Sequence, residues 1–321
     1  MSSECERGPL TTSTVDYWIQ HVVFPCQVTI LAMVIYDIVR SVTSVKARIV
    51  AKPNLLLLAL LNLLIFGSML PQSLGSFSWF FENETFRRFY HHSKIPINAL
   101  SNLMSAVEIC ITLAICLECY LRSKSSSLTK CFEPNARYVV FLVAVLAASV
   151  ALTVYHFVLY ELDTGYKCDG TKLVVRIKLN TDLLSLAAIK FFNLTQAVVV
   201  IVIPCICMIL VNHKHADLIR SDVFPTSSYS ECRELFSVEN CLESRKKKIL
   251  LYLPLLTGCF VVSHMLSFLP FLYDLIPSLY EWGFPYVITV MNSVLITGKI
   301  VTLALSSRIC QDLGRLGLTS Y

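Results

Sequence analysis

The chain alternates between long apolar stretches and short polar connections. The seven apolar stretches cover about residues 18–41, 54–76, 95–121, 138–160, 186–212, 249–273 and 284–305. Each is close to the roughly 20 residues that an α-helix needs to cross the hydrocarbon core of a bilayer. Because lipid offers no hydrogen-bond partners, the backbone of such a stretch must pair within itself. The pattern therefore predicts an all-α membrane protein, a bundle of seven transmembrane helices.

Composition supports the same fold class. Hydrophobic residues make up 55% of the chain and charged residues 15%, whereas a soluble domain carries about 25% charged residues. The longest connections are too short to bury a core of their own. We therefore expect one membrane domain over residues 1–321, with 1–17 as an N-terminal segment, 213–248 as a loop and 306–321 as a tail. A short amphipathic helix is expected after the seventh stretch, at 308–316.

Basic residues divide unevenly between the two faces of the predicted bundle. One face carries 17 Lys and Arg residues next to the spans and the other carries eight. Since the more basic face is normally cytoplasmic, the N-terminus is predicted to be outside, and the 213–248 loop and the tail inside. The net charge of +5 follows from this bias and gives no support to nucleic-acid binding. Asn83 begins the sequon Asn83-Glu84-Thr85 in an outside loop, where a glycan can be attached.

Enzyme chemistry finds no support in the residues. His91 and His92 are expected in a loop, and His156 and His264 are isolated, so no histidine pair stands at metal-ligand spacing on one helix face. We also find no protease dyad and no phosphate-binding loop. The sequence therefore predicts no enzyme, no firm metal site and no cofactor of its own. An odd number of spans without a visible repeat disfavours a transporter built from inverted repeats.

Four spans carry short motifs. The fifth holds Pro204 and then Asn212, with basic Arg220 following; the third ends Glu118-Cys119-Tyr120; the second places Asn62 after Leu58-Ala59; and the seventh holds Asn292-Ser293. In these helices and in this order, the motifs resemble those of rhodopsin-like G-protein-coupled receptors, nearest to the invertebrate FMRFamide-type neuropeptide receptors.

The resemblance implies a plasma-membrane receptor that binds an extracellular peptide or small-molecule ligand and activates a heterotrimeric G protein by helix rearrangement. By the same resemblance, the residues that would face the G protein are Glu118, Cys119, Tyr120, Arg122, Asn212, Arg220, Arg245, Lys246, Lys247 and Lys248. The basic residues at the start of the sixth span also satisfy the charge bias without any such contact.

The departures from the family are substantial. Cys119 stands where the family has arginine, and the Asn-Pro-x-x-Tyr position reads Ile296-Thr297-Gly298-Lys299-Ile300. Two alternatives to a coupled receptor therefore stay open. One is a receptor-fold protein that does not couple, acting as a decoy or partner subunit. The other is a small transporter that uses a polar stripe around Glu108.

A polar core is also implied by the resemblance. The family holds a sodium ion between helices two, three and seven, and the corresponding positions here are Asn62, Glu108, Asn292 and Ser293. Our hypothesis is that these residues bind a cation such as Na⁺ or titrate, because a carboxylate at mid-membrane is costly and usually functional. The alternative is a structural role, in which Glu108 is protonated and hydrogen-bonded to Asn62 or Asn292.

Several further residues have two readings each. The ligand-pocket candidates are His264, Phe268, Tyr273, Asp274 and Tyr286; the aromatic residues also suit an interface belt, and His264 also suits a bonded core histidine. Cys168 is similar to the family's loop-two cysteine, and Cys5 is the only other outside cysteine; two free thiols or an intermolecular bond are the alternatives to a bridge. Lys299 is expected to snorkel to the cytoplasmic surface, and Cys310 to be palmitoylated or free.

Overall fold

The computed structural model describes residues 14–44, 49–124, 136–154, 160–167, 172–179, 186–221, 235–275 and 285–316. The helices are α1 (Thr14–Trp18, a π-helical turn Ile19–Val23 and Phe24–Thr43), α2 (Lys52–Leu74), α3 (Glu84–Ser123), α4 (Ala136–Thr153), α5 (Leu186–Ala197, a π-helical turn Val198–Val202 and Ile203–Arg220), α6 (Leu235–Leu275) and α7 (Pro285–Arg315). A four-residue helix, Ser78–Phe81, precedes α3. Strands β1 (Tyr160–Lys167) and β2 (Lys172–Leu179) form an antiparallel hairpin after α4, with Tyr160 opposite Leu179.

Each predicted apolar stretch coincides with one of these helices. Among the described residues, six helices are long and apolar enough to cross a membrane, and Tyr138–Thr153 of α4 is a shorter apolar helix. The architecture is thus that of a helical, multi-pass membrane protein. The fourth stretch was predicted to run to residue 160, and this is wrong, because β1 begins at Tyr160. Glu161 and Asp163 alternate there with less polar neighbours, a period of two that is typical of a strand.

Polar and apolar side chains are distributed as lipid requires. Val140 of α4, Leu63 of α2 and Leu210 of α5 are exposed on the outside of the bundle. Inside it, Glu108 and Thr112 of α3 are fully buried. Exposed apolar faces of this extent mark a surface that meets another apolar phase, and ionisable groups within a bundle are turned towards its interior.

Helix α3 packs against four of the other six long helices. It contacts α2, α4, α5 and α7, and its 40 residues span about 60 Å, twice the hydrocarbon thickness. Residues 84–94 were predicted as a loop, and this is wrong. The Asn83 side chain caps the helix by accepting the Phe86 N–H at 3.1 Å, and Glu84 pairs with Arg88 one turn on. Capping and this pair favour helix where the charges had suggested a loop.

Each π-helical turn lies directly before a proline. Ile19–Val23 ends two residues before Pro25, and Val198–Val202 ends two residues before Pro204. A proline inside a helix lacks an N–H and its ring clashes with the carbonyl group four residues earlier. The wider turn accommodates that ring within a continuous helix.

The basic ends of the helices lie together, and we call this the Arg122 end. Arg308 of α7 lies 3.8 Å from Asp37 of α1, and the Val50 N–H donates to the Cys310 carbonyl at 3.2 Å. The opposite end, which holds the exposed Asn83, is the Asn83 end.

Helix α7 runs unbroken to Arg315, so the separate amphipathic helix predicted after residue 305 is wrong. No proline or glycine interrupts the sequence from Lys299 to Leu313. The predicted 213–248 loop is likewise helical at both of its described ends, 213–220 and 235–248.

Candidate functional site: two buried clusters on helix α3

The first cluster lies in the centre of the bundle and joins three helices. Lys299 of α7 donates to Glu108 Oε2 of α3 at 2.5 Å, and both side chains are almost completely buried. His264 of α6 places its Nε2 atom 3.8 Å from the same oxygen. Its Nδ1 atom lies 2.8 Å from the Phe260 carbonyl oxygen, which fixes the ring. We call Glu108, Lys299 and His264 the core triad.

A glycine lets helices α6 and α7 approach closely beside this triad. A Cβ atom at Gly298 would lie 2.3 Å from Ser263 Cβ and 2.5 Å from Ser263 Oγ, well inside van der Waals contact. Gly298 precedes Lys299, and Ser263 precedes His264. The missing side chain therefore allows the approach that brings the lysine and the histidine to Glu108.

Hydrogen bonds from α1 hold α7 near the same level. Gln27 donates from Nε2 to the Ser293 carbonyl at 3.0 Å, to Ser293 Oγ at 3.2 Å and to Thr297 Oγ1 at 2.9 Å. Thr112 donates to the Glu108 backbone carbonyl at 2.9 Å and lies 3.5 Å from its Oε1 atom. The triad is therefore supported by fixed neighbours on α1 and α3.

The second cluster lies at the Arg122 end and joins α2, α3 and α4. Glu118 accepts two hydrogen bonds from Arg122 one turn further along, at 3.0 and 2.9 Å. Its other oxygen accepts from Asn54 Nδ2 at 2.9 Å, and the Tyr138 hydroxyl donates to Asn54 Oδ1 at 2.9 Å. These residues form the Glu118 cluster, in which the buried carboxylate is paired and hydrogen-bonded as burial of a charge requires.

The start of α2 is shaped around the Glu118 cluster. Ala51 adopts a left-handed conformation with φ 56°, which is unfavourable for a residue with a side chain. Its backbone N–H is directed towards Glu118. Strain of this kind persists where surrounding structure fixes it, and it concentrates at functional sites.

Three interhelical contacts surround a small cavity of about 10 Å³ next to this cluster, which Cys119, Asn212, His215 and Ser306 help to line. The sulfur atoms of Cys119 in α3 and Cys310 in α7 lie 3.8 Å apart. Ser123 of α3 and His215 of α5 share a 2.9 Å hydrogen bond. Asn212 of α5 donates to Thr257 of α6 at 2.8 Å.

The structure does not bring the four predicted polar-core residues together. Asn292 is exposed, and Ser293 is occupied by Gln27. Asn62 is fully buried but donates to the Leu58 carbonyl of its own helix. Asn292 lies seven residues before Lys299, about 10 Å along α7, which places it nearer the Asn83 end than the triad. Hydropathy alone does not determine how far along the membrane normal a residue of α7 lies relative to residues of α3.

The residues predicted to face a G protein divide into two groups. Glu118, Cys119 and Asn212 are buried, and Tyr120 is half-buried with its ring 6.2 Å from that of His215. Arg122 and Arg245 are half-buried, as is Lys246, whereas Arg220, Lys247 and Lys248 are exposed. Lys247 pairs with Glu243 at 2.7 Å, and Arg220 lies 4.0 Å from Asp217.

His264, a ligand-pocket candidate, lies instead in the core triad and is 1% exposed. The side chains of Phe268, Tyr273, Asp274 and Tyr286 fall outside the described residues, as do Cys5 and Cys168. Asn83 is exposed, and its side-chain oxygen serves as the α3 cap. Cys310 is fully buried against Cys119, which leaves no room for the palmitate considered from the sequence.

Sequence reasoning missed Lys299 as the partner of Glu108. The expectation that it would reach the membrane surface is wrong, because its ammonium group points into the bundle. A signal for the pair was present. The basic residues within the predicted spans are Arg40, Lys190 and Lys299, and ionisable residues inside a membrane commonly pair with one another.

A comparison with models of known protein families finds no match to this chain, and a comparison with curated proteins finds no matching relative. Within the part of the chain that the structure describes, no group of three or more His, Cys, Asp or Glu side chains could hold a metal ion. The functional argument therefore depends on the two buried clusters and the motifs around them.

Proposed function

We propose that this chain is a rhodopsin-like seven-helix receptor of the plasma membrane that responds to an extracellular neuropeptide and activates a heterotrimeric G protein. The observation that carries the proposal is that α3 holds two buried carboxylates, Glu108 and Glu118, each ion-paired. Apolar side chains would stabilise a bundle as well as a buried ion pair does. Two such pairs on the central helix therefore favour a role in switching.

The two pairs differ in what they hold. Glu108 ties α3 to α7 across the bundle, while Glu118 keeps Arg122 against α3 itself. The carboxylates are ten residues apart, about 15 Å along the helix. A ligand that favours separation of α6 and α7 from α3 would break the first pair, and opening at the Arg122 end would release Arg122 to a cytoplasmic partner.

The energies involved suit a two-state switch. Breaking a buried ion pair costs about 3–5 kcal/mol, and about 5.5 kcal/mol moves an equilibrium from 1:99 to 99:1. The core triad can therefore hold a closed state that a ligand of ordinary differential affinity overcomes.

The charge distribution supports an N-terminus outside the cell. The more basic face is expected in the cytoplasm, and the Asn83 sequon lies at the opposite end, where α3 extends well past the hydrocarbon thickness. Arg220, Lys247 and Lys248 are exposed basic residues on the face that would meet a G protein.

One observation favours the alternative of a receptor-fold protein that does not couple. Cys119 stands at the family's arginine position and faces Cys310 in the interior. Coupling would then depend on Arg122, one turn from Glu118. The assay below decides between the two functions.

The test is nucleotide exchange on a panel of G proteins in membranes that carry the full chain, with and without pooled amidated peptides. Glu118→Gln should raise basal exchange about ten- to a hundredfold, because a hydrogen bond to a charged group contributes about 1.5–3 kcal/mol. Glu84→Gln is the matched control, since Glu84 and Arg88 form an exposed Glu–Arg pair with the same spacing on the same helix. Its exchange should equal that of the unaltered chain.

Absence of chain-dependent exchange under every condition, with surface delivery verified by the Asn83 glycan, would favour the non-coupling alternative. Solute uptake or current without any G protein would instead point to the transporter. An equal rise in Glu84→Gln would show that the Glu118 cluster is not a specific lock.

A further inference from the structure

The buried carboxylate of Glu108 already has a cation beside it that belongs to the chain. Lys299 places its ammonium group 2.5 Å from Oε2, and the two side chains are 1% and 0% exposed. Lys299 follows Gly298, where α6 and α7 approach closely. By the resemblance described above, Glu108 stands at the helix-three position that contributes to the sodium site of the proposed family.

The surrounding oxygen atoms do not fit a sodium ion. Ser293 accepts from Gln27 at both its backbone and side-chain oxygens, and Asn292 is exposed nearer the Asn83 end. On α3, the oxygen atom beside this carboxylate is the Thr112 hydroxyl, at 3.5 Å from Glu108 Oε1, too far to serve as a close second ligand of the same ion. The ligand set predicted from the sequence is therefore dispersed.

Electrostatics opposes a second cation even more strongly. Glu108 and Lys299 together are neutral, so an added Na⁺ would leave a net positive charge in a medium of low polarity. The effective penalty for burying an unpaired ion is several kcal/mol in proteins. The His264 imidazole also lies beside this oxygen, with Nε2 at 3.8 Å.

We infer that Lys299 is a tethered cation that takes the place of sodium in the core of this protein. The stability of the chain is therefore insensitive to sodium. Without the Lys299 ammonium group, Glu108 would have to take its counter-ion from the solution. This inference deepens the proposed function, but its test needs only the folded chain and no G protein. A failure of coupling and a failure of the tethered cation are thus distinguishable.

The experiment is thermal unfolding of the purified full chain in sodium chloride and in choline chloride at the same ionic strength, about 0.15 M. A thiol-reactive dye reports unfolding, because Cys116, Cys119, Cys205 and Cys310 are buried. The unaltered chain should give the same Tm in both salts within about 1 °C. Lys299→Gln should unfold about 2–4 °C higher in sodium than in choline, because the lone carboxylate gains a mobile counter-ion.

The double variant Glu108→Gln/Lys299→Gln is the matched control and should lose this sodium effect, since no charge remains. The inference is overturned if sodium specifically raises the Tm of the unaltered chain and Glu108→Gln abolishes that rise. It is equally overturned if Lys299→Gln is indifferent to sodium. Should Lys299→Gln give no folded protein, recovery of folding in the double variant supports the inference, and absence of recovery overturns it.

Discussion

Replacing Gly298 with alanine would place a methyl group where α7 packs tightly against α6. The new carbon would lie 2.3 Å from Ser263 Cβ, whereas carbon atoms pack favourably at about 3.5–4.0 Å. The helices would have to separate by about 1 Å or more, since rotation of the Ser263 side chain can move its Oγ atom but not its Cβ atom. Because Lys299 and His264 follow these two residues, the separation would also loosen the core triad.

The expected cost follows from two opposing effects. Overpacking a filled interior costs about 1–3 kcal/mol, and replacing a helical glycine with alanine returns about 0.5–1 kcal/mol of backbone entropy. A net loss of about 1–2 kcal/mol should lower the Tm by roughly 2–8 °C. Gly258→Ala in α6 is the matched control, because nothing lies within 4 Å of its added carbon. That variant should be stabilised by about 0.5–1 kcal/mol.

The measurement is thermal unfolding of both variants beside the unaltered chain, with basal nucleotide exchange as a second readout. Ser263→Gly in the Gly298→Ala background removes both clashing atoms and leaves the Cys259 carbonyl oxygen, at an ordinary 3.6 Å, as the next atom, so stability should return. If Gly298→Ala were as stable as Gly258→Ala, or if Ser263→Gly failed to rescue it, the close approach of α6 and α7 would be refuted.

The remaining predictions concern the helix caps, the α1–α7 contact and the buried thiol. Thr85→Ala should remove the glycan and change gel mobility without changing the Tm, whereas Asn83→Ala should also lose about 1 kcal/mol with the cap; equal Tm values for the two would contradict the cap. Gln27→Leu should lower the free energy of unfolding by about 1–3 kcal/mol in a denaturant titration, because it removes donors to α7. A palmitate analogue fed to expressing cells should not label Cys310, and loss of label in Cys310→Ser would contradict its burial.

The helices could be predicted from the sequence because hydropathy in a membrane protein reports length and burial in lipid directly. The stretch at 54–76 matches α2 to within a few residues. The stretch at 186–212 matches the start of α5, but this helix continues through polar residues to Arg220. The prediction was least accurate at the charged ends of the helices. Arg87, Arg88 and Lys94 suggested a loop, yet local capping and pairing extend α3 through all three.

The candidate site could be predicted only in part. Glu108 stood out because a carboxylate within an apolar span demands a reason. The partner of Glu108 could not be identified in this way. The choice between Asn62, Asn292 and Lys299 depends on how each helix is rotated and how far it is shifted along the membrane normal, and hydropathy does not give either quantity. The Glu118 cluster could be predicted only in part. The Glu-x-Tyr motif identified Glu118, but Asn54 and Tyr138 belong to other helices, and their positions relative to α3 are known only from the structure.

The two π-helical turns bear on how this chain can be compared with any other. Each takes up one residue more than a regular turn, which rotates everything after it by roughly 100° relative to what comes before. Positions counted in sevens from the buried Asp16 therefore leave the inward face at Val23, the last residue of the first π-helical turn, which is exposed. A relative that lacked the turn at Pro204 would align with this chain only through a one-residue gap inside the span, and without that gap Asn212 would be matched to the wrong neighbour.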